Sequence, residues 1–197
     1  MNVRAAPVTL TIIAINIIIF VIDQATGGSL SRIGALYPQD VQHGAWWQLI
    51  TSAFLHANLI HIGFNMFALF QAGTFVEFCY GSPRYIAIYF AGLLGGSLLA
   101  YLSTINSNIP TLGASGAIMG VFGAMVVLAF KLPPLRGALL RAAVLPILLT
   151  LANGINNPGI SMGGHVGGLI TGSATALLLN PVRGRQLIPA GQDEGET

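Results

Sequence analysis

Charge is scarce in this sequence. Of 197 residues, eight are Lys or Arg and six are Asp or Glu, 7% in all, where an ordinary soluble domain carries about a quarter. That shortage excludes a soluble globular fold. The net charge of +2 forms no basic patch, so no nucleic-acid partner is expected. There is one cysteine, Cys79: no internal disulfide can form, and a lone thiol in an apolar run reads as packing. The sequence has no HExxH and no Cys cluster, so neither a metal nor another cofactor is expected. Its only acidic residues are Asp23, Asp40, Glu77, Asp193, Glu194 and Glu196. Two aspartates inside membrane spans, which an intramembrane aspartyl protease needs, are missing.

Apolar residues are abundant, at 54% of the chain with a mean hydropathy of +0.75. They fall between the few charges in long gaps: eighteen residues from Arg4 to Asp23, thirty-six from Asp40 to Glu77, forty-six from Arg84 to Lys131 and forty-one from Arg141 to Arg183. A helix crossing the hydrocarbon needs about 20 apolar residues. The first gap holds one span. The last two hold two each, divided by the polar turns 103–111 and 153–161. The second gap opens with a mixed stretch, VQHGAWWQLITS, and becomes helix-like near His56, so it is read as one span. This predicts an all-α polytopic membrane protein, a bundle of six transmembrane helices near 5–23, 57–78, 84–103, 113–130, 138–154 and 162–180. The bundle occupies residues 1–182, with a short cytoplasmic tail, 183–197, expected to be disordered. The tight apolar run of the fifth span, Ala142 to Ala152, is short for a full crossing and contains Pro146, so a tilted, bent or loosely packed helix is expected. The first span exceeds a usual signal core and is read as retained.

Seven of the eight basic residues lie on one side if the N-terminus is cytoplasmic; only Arg32 lies outside, in the long first loop. The positive-inside rule then puts both termini in the cytoplasm. The loop 24–55 is too apolar for disorder. Trp46 and Trp47 suit a water–lipid interface, so it is read as a compact substructure partly immersed in the outer leaflet.

Polar side chains at membrane depth each need an account. His61 and Asn65 in span two lie four apart, on one helical face, with Met66, Phe67 and Leu69 free to face lipid. Taken alone, this pair reads as glue between helices. Span four opens TLGASGAIMG, with Gly113, Gly116, Gly120 and Gly123 on one face and Ser115 beside it near the helix N-terminus, where unpaired N–H groups favour negative charge. In span six, Gly164, Gly168, Gly172 and Ala176 form a matching ridge beside His165. Two such ridges allow close backbone approach. Both helices start on the external side, so Ser115 and His165 lie at matching depth. No carboxylate is placed to complete a Ser-His-Asp triad; any serine chemistry here must use a dyad.

The segments WWQLITSAFLHANLIHIGFNMFAL, GASGAIMG and GGHVGGLITG, in that order, resemble the rhomboid intramembrane serine proteases, over roughly residues 5–180. The resemblance implies the six-helix rhomboid core without an added helix or soluble domain. It also implies a catalytic pair of Ser115, in Gly113-Ala114-Ser115-Gly116, and His165, followed by Gly168 and Gly172. His61 and Asn65 correspond to the family's His-x-x-x-Asn pair and are expected, with Gly113 and the Ser115 N–H, to stabilise the oxyanion. His56, Gly116 and Met119 are expected to support the site. Two positions differ from the common pattern: Gln48 stands where an Arg often follows Trp, and Met119 where a Tyr often stacks under the histidine. The implied substrates are membrane-anchored proteins cut near the outer end of a transmembrane segment, at a plasma-membrane site open to the external face. Span five or the first loop would move to admit them. The alternatives are a non-proteolytic binder of transmembrane helices, like relatives lacking the serine or histidine, and a small transporter, for which the repeat symmetry is missing.

Overall fold

The computed structural model describes residues 6–106, 108–157 and 160–183. Arg4, Arg185 and the expected tail beyond Arg183 lie outside them. The described residues form helices without β-strands: α1 (Pro7–Ala25), α2 (Ser29–Gly34), α3 (Pro38–Gln42), α4 (Gln48–Thr51), α5 (Leu59–Tyr80), α6 (Ser82–Ser103), α7 (Ser115–Lys131), α8 (Arg136–Asn156) and α9 (Met162–Leu178). The six long helices occupy the six expected spans. The chain is an all-α polytopic membrane bundle. Four helices, including α8 with the short 3-10 turn before it, are by themselves long and apolar enough to cross a bilayer. Helices α7 and α9 have 17 residues each, about 25 Å of rise.

Local chemistry sets the helix boundaries. Asn58 caps α5, its side-chain oxygen accepting the His61 N–H at 2.9 Å; Ser161 caps α9 by accepting from the Gly164 N–H at 3.0 Å. Such caps satisfy donors that a helix start leaves orphaned. Gly81, at φ +75, ends α5, and Pro83 starts α6. The start of α1 is held from another helix: buried Glu77 accepts from the N–H groups of Val8 and Thr9 and from the Thr9 and Ser82 hydroxyls. A carboxylate at a helix N-terminus meets both its free donors and its dipole.

Helix α7 is the axis of the bundle, packed against α5, α6, α8 and α9, and is buried at nearly every position from Ala117 to Ala129. Its contacts with α6 and α9 are made through glycine. A Cβ added to Gly168 would strike the carbonyl of Gly116, and one added to Gly172 would strike the backbone of Gly120. On the α6 side, a Cβ on Gly96 would lie 2.8 Å from the Gly164 carbonyl oxygen and 3.2 Å from the Gly116 Cα. Without a hydrophobic drive between helices in lipid, such close backbone contact supplies the dispersion energy. Tyr80, through its hydroxyl, and Lys131, through its ammonium, donate to the last carbonyls of α9 and close the seam at the other end.

In α5 the expected lipid face holds for Phe67 but not for Met66 and Leu69. Phe64, Phe67 and Phe70 point outward, but Met66 (8% exposed) and Leu69 (0%) face the core. The inward stripe Ile62, Asn65, Met66, Leu69, Ala72, Gly73 and Val76 follows a three-four spacing, and in so uniformly apolar a helix hydropathy alone does not choose the face. Helix α8 continues through Pro146 and buries only Leu139, Ala143 and Ile147, one residue per turn; Leu140 and Leu151 pack half-buried against the core, and Leu145, Leu148 and Leu149 are exposed. The first loop is structured, as expected, folding into α2–α4. Reciprocal bonds between Leu36 and Thr111 tie it to the α6–α7 connection.

Candidate active site

Three helix starts meet at one end of the bundle. Ser115 is the first residue of α7, where its own N–H has no intrahelical partner to bond, and His165 lies in the first turn of α9. The glycine seam brings these turns together: His165 Nε2 and Ser115 Oγ are 2.9 Å apart. The imidazole is 5% exposed, and its Nδ1 has no hydrogen-bond partner among the described residues. Among the described residues no carboxylate bonds to the ring.

Gly113 makes the turn into α7 at φ +125, a conformation that L side chains rarely adopt. Its N–H donates to the Ser52 carbonyl at 2.9 Å, which pins the turn to the first loop. A Cβ here would also be 2.8 Å from His61 Cε1 and Nε2 and 3.7 Å from Asn65 Nδ2. Two independent constraints therefore demand glycine. The space it leaves brings His61 and Asn65 to the turn that carries Ser115. Asn65 is 7% exposed, and its Nδ2 is a buried donor without a partner among the described residues. His56, 1% exposed, lies under His61 with ring centroids 5.0 Å apart, edge to face. Gly116 sits in the seam against Gly96 and Gly164. Met119 is buried one turn after Ser115.

The stretch of chain that carries this geometry matches a known domain. The model of the Rhomboid domain covers residues 43–182. The chain belongs to the rhomboid family. It is 36% identical over 180 residues to rhomboid protease GluP of Bacillus subtilis (strain 168), covering 87% of this chain and 34% of that protein. It is 32% identical over 173 residues to RHOMBOID-like protein 5 of Arabidopsis thaliana, covering 84% and 56%. With rhomboid protease AarA of Providencia stuartii it shares 30% identity over 207 residues, covering 89% and 73%. The chain thus spans about a third of the Bacillus relative and about half of the plant one.

Three supporting residues were not singled out from sequence. Ser52 holds the Gly113 turn, Asn58 caps the helix of His61 and Asn65, and Ser161 caps that of His165. The two caps were available as Asn-x-x-His and Ser-x-x-Gly before apolar runs; Ser52 had no local signal. Gln48, unlike the common Arg, proves fully engaged. It is 2% exposed, accepts from the Tyr37 N–H at 2.9 Å and donates to the Ile33 carbonyl and Asp40. An amide supplies both an acceptor and donors, which a guanidinium does not.

Proposed function

We propose that this rhomboid protein is an intramembrane serine endopeptidase acting through a Ser115–His165 dyad. The 2.9 Å separation of His165 Nε2 and Ser115 Oγ carries this reading. As Oγ attacks the scissile carbonyl carbon, Nε2 takes the hydroxyl proton. The tetrahedral intermediate then collapses, the C–N bond breaks and the imidazolium returns the proton to the leaving amine. Water, activated by the same imidazole, hydrolyses the acyl-enzyme. The negative oxygen would be met by the Ser115 N–H, by Asn65 Nδ2 and by His61 at the Gly113 turn. A buried, unpartnered amide donor costs free energy in the resting protein; it makes sense as a group whose acceptor arrives with the reaction.

Substrates are membrane-anchored proteins, cut near the end of a transmembrane segment that lies at the depth of Ser115. Among the described basic residues, Arg84, Lys131, Arg136, Arg141 and Arg183 lie in or near the connections at the opposite end of the helices, and Arg32 alone lies in the first loop on the side of the site. That asymmetry supports cytoplasmic termini and a site opening to the external face of the plasma membrane. The reading is tested by reconstituting the full chain with a single-span model substrate and mapping the cut. Cleavage in the outer half of the segment, lost in Ser115→Ala and in His165→Ala, is expected. Intact substrate that still co-purifies with the wild-type chain would make it a non-proteolytic binder.

A further inference from the structure

The first loop has features that chemistry at Ser115 does not use. Both tryptophans of the chain lie there, Trp46 59% and Trp47 52% exposed, together with Ile33 and Ile50. Large amphipathic rings left open on a membrane protein belong at headgroup depth. Beside them is a shallow pocket of about 290 Å³ whose lining includes Arg32, Ile33, Asp40, His43, Trp47 and Gln48.

The pocket presents both signs of charge. Arg32 forms no ion pair within contact distance and no side-chain hydrogen bond among the described residues; its charge acts on nearby Asp23, but that carboxylate is buried and already accepts from the Leu30 and Ser31 N–H groups and the Ser31 hydroxyl, so the guanidinium keeps its donors free. Asp40 commits one carboxylate oxygen, to Gln48 Nε2 at 3.1 Å. His43 Nδ1 pairs with the Gln39 carbonyl at 2.7 Å, leaving Nε2 free to accept. A purely anionic headgroup would pair with Arg32 but be repelled by Asp40. A quaternary ammonium has no N–H to offer Asp40 or His43. A phosphate carrying a primary ammonium satisfies both.

We propose that this pocket holds the headgroup of a phosphatidylethanolamine-type phospholipid from the adjoining leaflet. Arg32 binds the phosphate, Asp40 and His43 Nε2 accept from the ammonium, and the tryptophans lie along the glycerol and upper acyl chains. The site does not depend on hydrolysis at Ser115. It does adjoin the active-site turn, because α4 runs directly into Ser52, whose carbonyl holds Gly113.

Since the chain has only these two tryptophans, its tryptophan fluorescence, excited beyond the tyrosine absorption band, reports this loop alone. The full chain in maltoside micelles is titrated with dihexanoyl phosphatidylethanolamine, phosphatidylcholine and phosphatidylglycerol. A saturable change at the lowest concentration with phosphatidylethanolamine is expected. Arg32→Gln and Asp40→Asn should each raise its midpoint about fivefold, the worth of one half-exposed ion pair. Asn can still accept from Gln48, so the lipid-free emission should not move; if it does, Arg32→Gln alone decides. Equal midpoints for the three headgroups, a phosphatidylglycerol preference lost only in Arg32→Gln, or an unaltered midpoint in Arg32→Gln would each overturn the site.

Discussion

Helices α7 and α8 follow one another in the chain, yet they are held in opposite ways. Helix α7 is buried on almost every side, and its seams with α6 and α9 bring backbone against backbone at Gly116, Gly120, Gly168 and Gly172. In α8, taken with the turn before it, only 17% of the apolar span is buried, against 44% in α5, and a stripe of three buried side chains flanked by half-buried Leu140 and Leu151 joins it to the core. The contrast separates two requirements of the proposed chemistry. A proton transfer over one hydrogen bond needs its two helices fixed to within a fraction of an ångström, and a glycine seam has no side chain to change rotamer. Admission of a transmembrane substrate needs an element that parts from the bundle at small cost. Leaving the α8 stripe exchanges protein contact for lipid tails and not for water, so no hydrophobic penalty holds it shut.

The largest effect that would break this comparison lies at the pair itself. Ser115→Ala and His165→Ala should each reduce cleavage of a model substrate by at least about 10³-fold with unchanged thermal unfolding in detergent; activity within tenfold of wild type would remove the dyad. Next, Asn65→Ala should lower kcat by about 10²–10³ with little change in KM, measured on the same substrate. Gly168→Ala or Gly172→Ala tests the seam. Each added methyl meets backbone that cannot turn aside, so a loss of about 1–3 kcal/mol and a loss of activity are expected together, read by thermal unfolding and turnover. The smallest change is at the α8 stripe. Ile147→Ala should cost under about 1 kcal/mol and leave turnover equal or raised. A large loss of stability there, or a Gly172→Ala variant as stable as wild type, would reverse the assignment of rigid and mobile parts.

Much of this contrast was legible in the residues. The i, i+4 glycines of α9 and the glycine face of α7 announced close-packed helices, and their common starting side put Ser115 and His165 at one depth. Pro146 and a short apolar run pointed to a tilted, bent or loosely packed α8; the helix continues through the proline and, with the turn before it, is long and apolar enough to cross, with little of it buried. The face of α5 was not legible, because a helix apolar on all sides gives hydropathy no contrast; Met66 and Leu69 turned out to face inward. The clasp of Glu77 on the α1 N-terminus, 68 residues away in sequence, is a tertiary pairing with no local pattern. The same holds for Gln48, whose three partners lie on separate turns of the first loop, and for Ser52. Long-range polar pairing is what the linear pattern omits.

The proposed hydrolysis requires that the His165 imidazole activate the Ser115 hydroxyl, and covalent labelling reads this most directly. The folded chain in detergent is treated with a fluorophosphonate, and the adduct is located by peptide mass spectrometry. Wild type should carry it on Ser115 alone, with labelling at least about 10²-fold slower in His165→Ala. Labelling of Ser115 at the same rate with and without the imidazole would contradict the account.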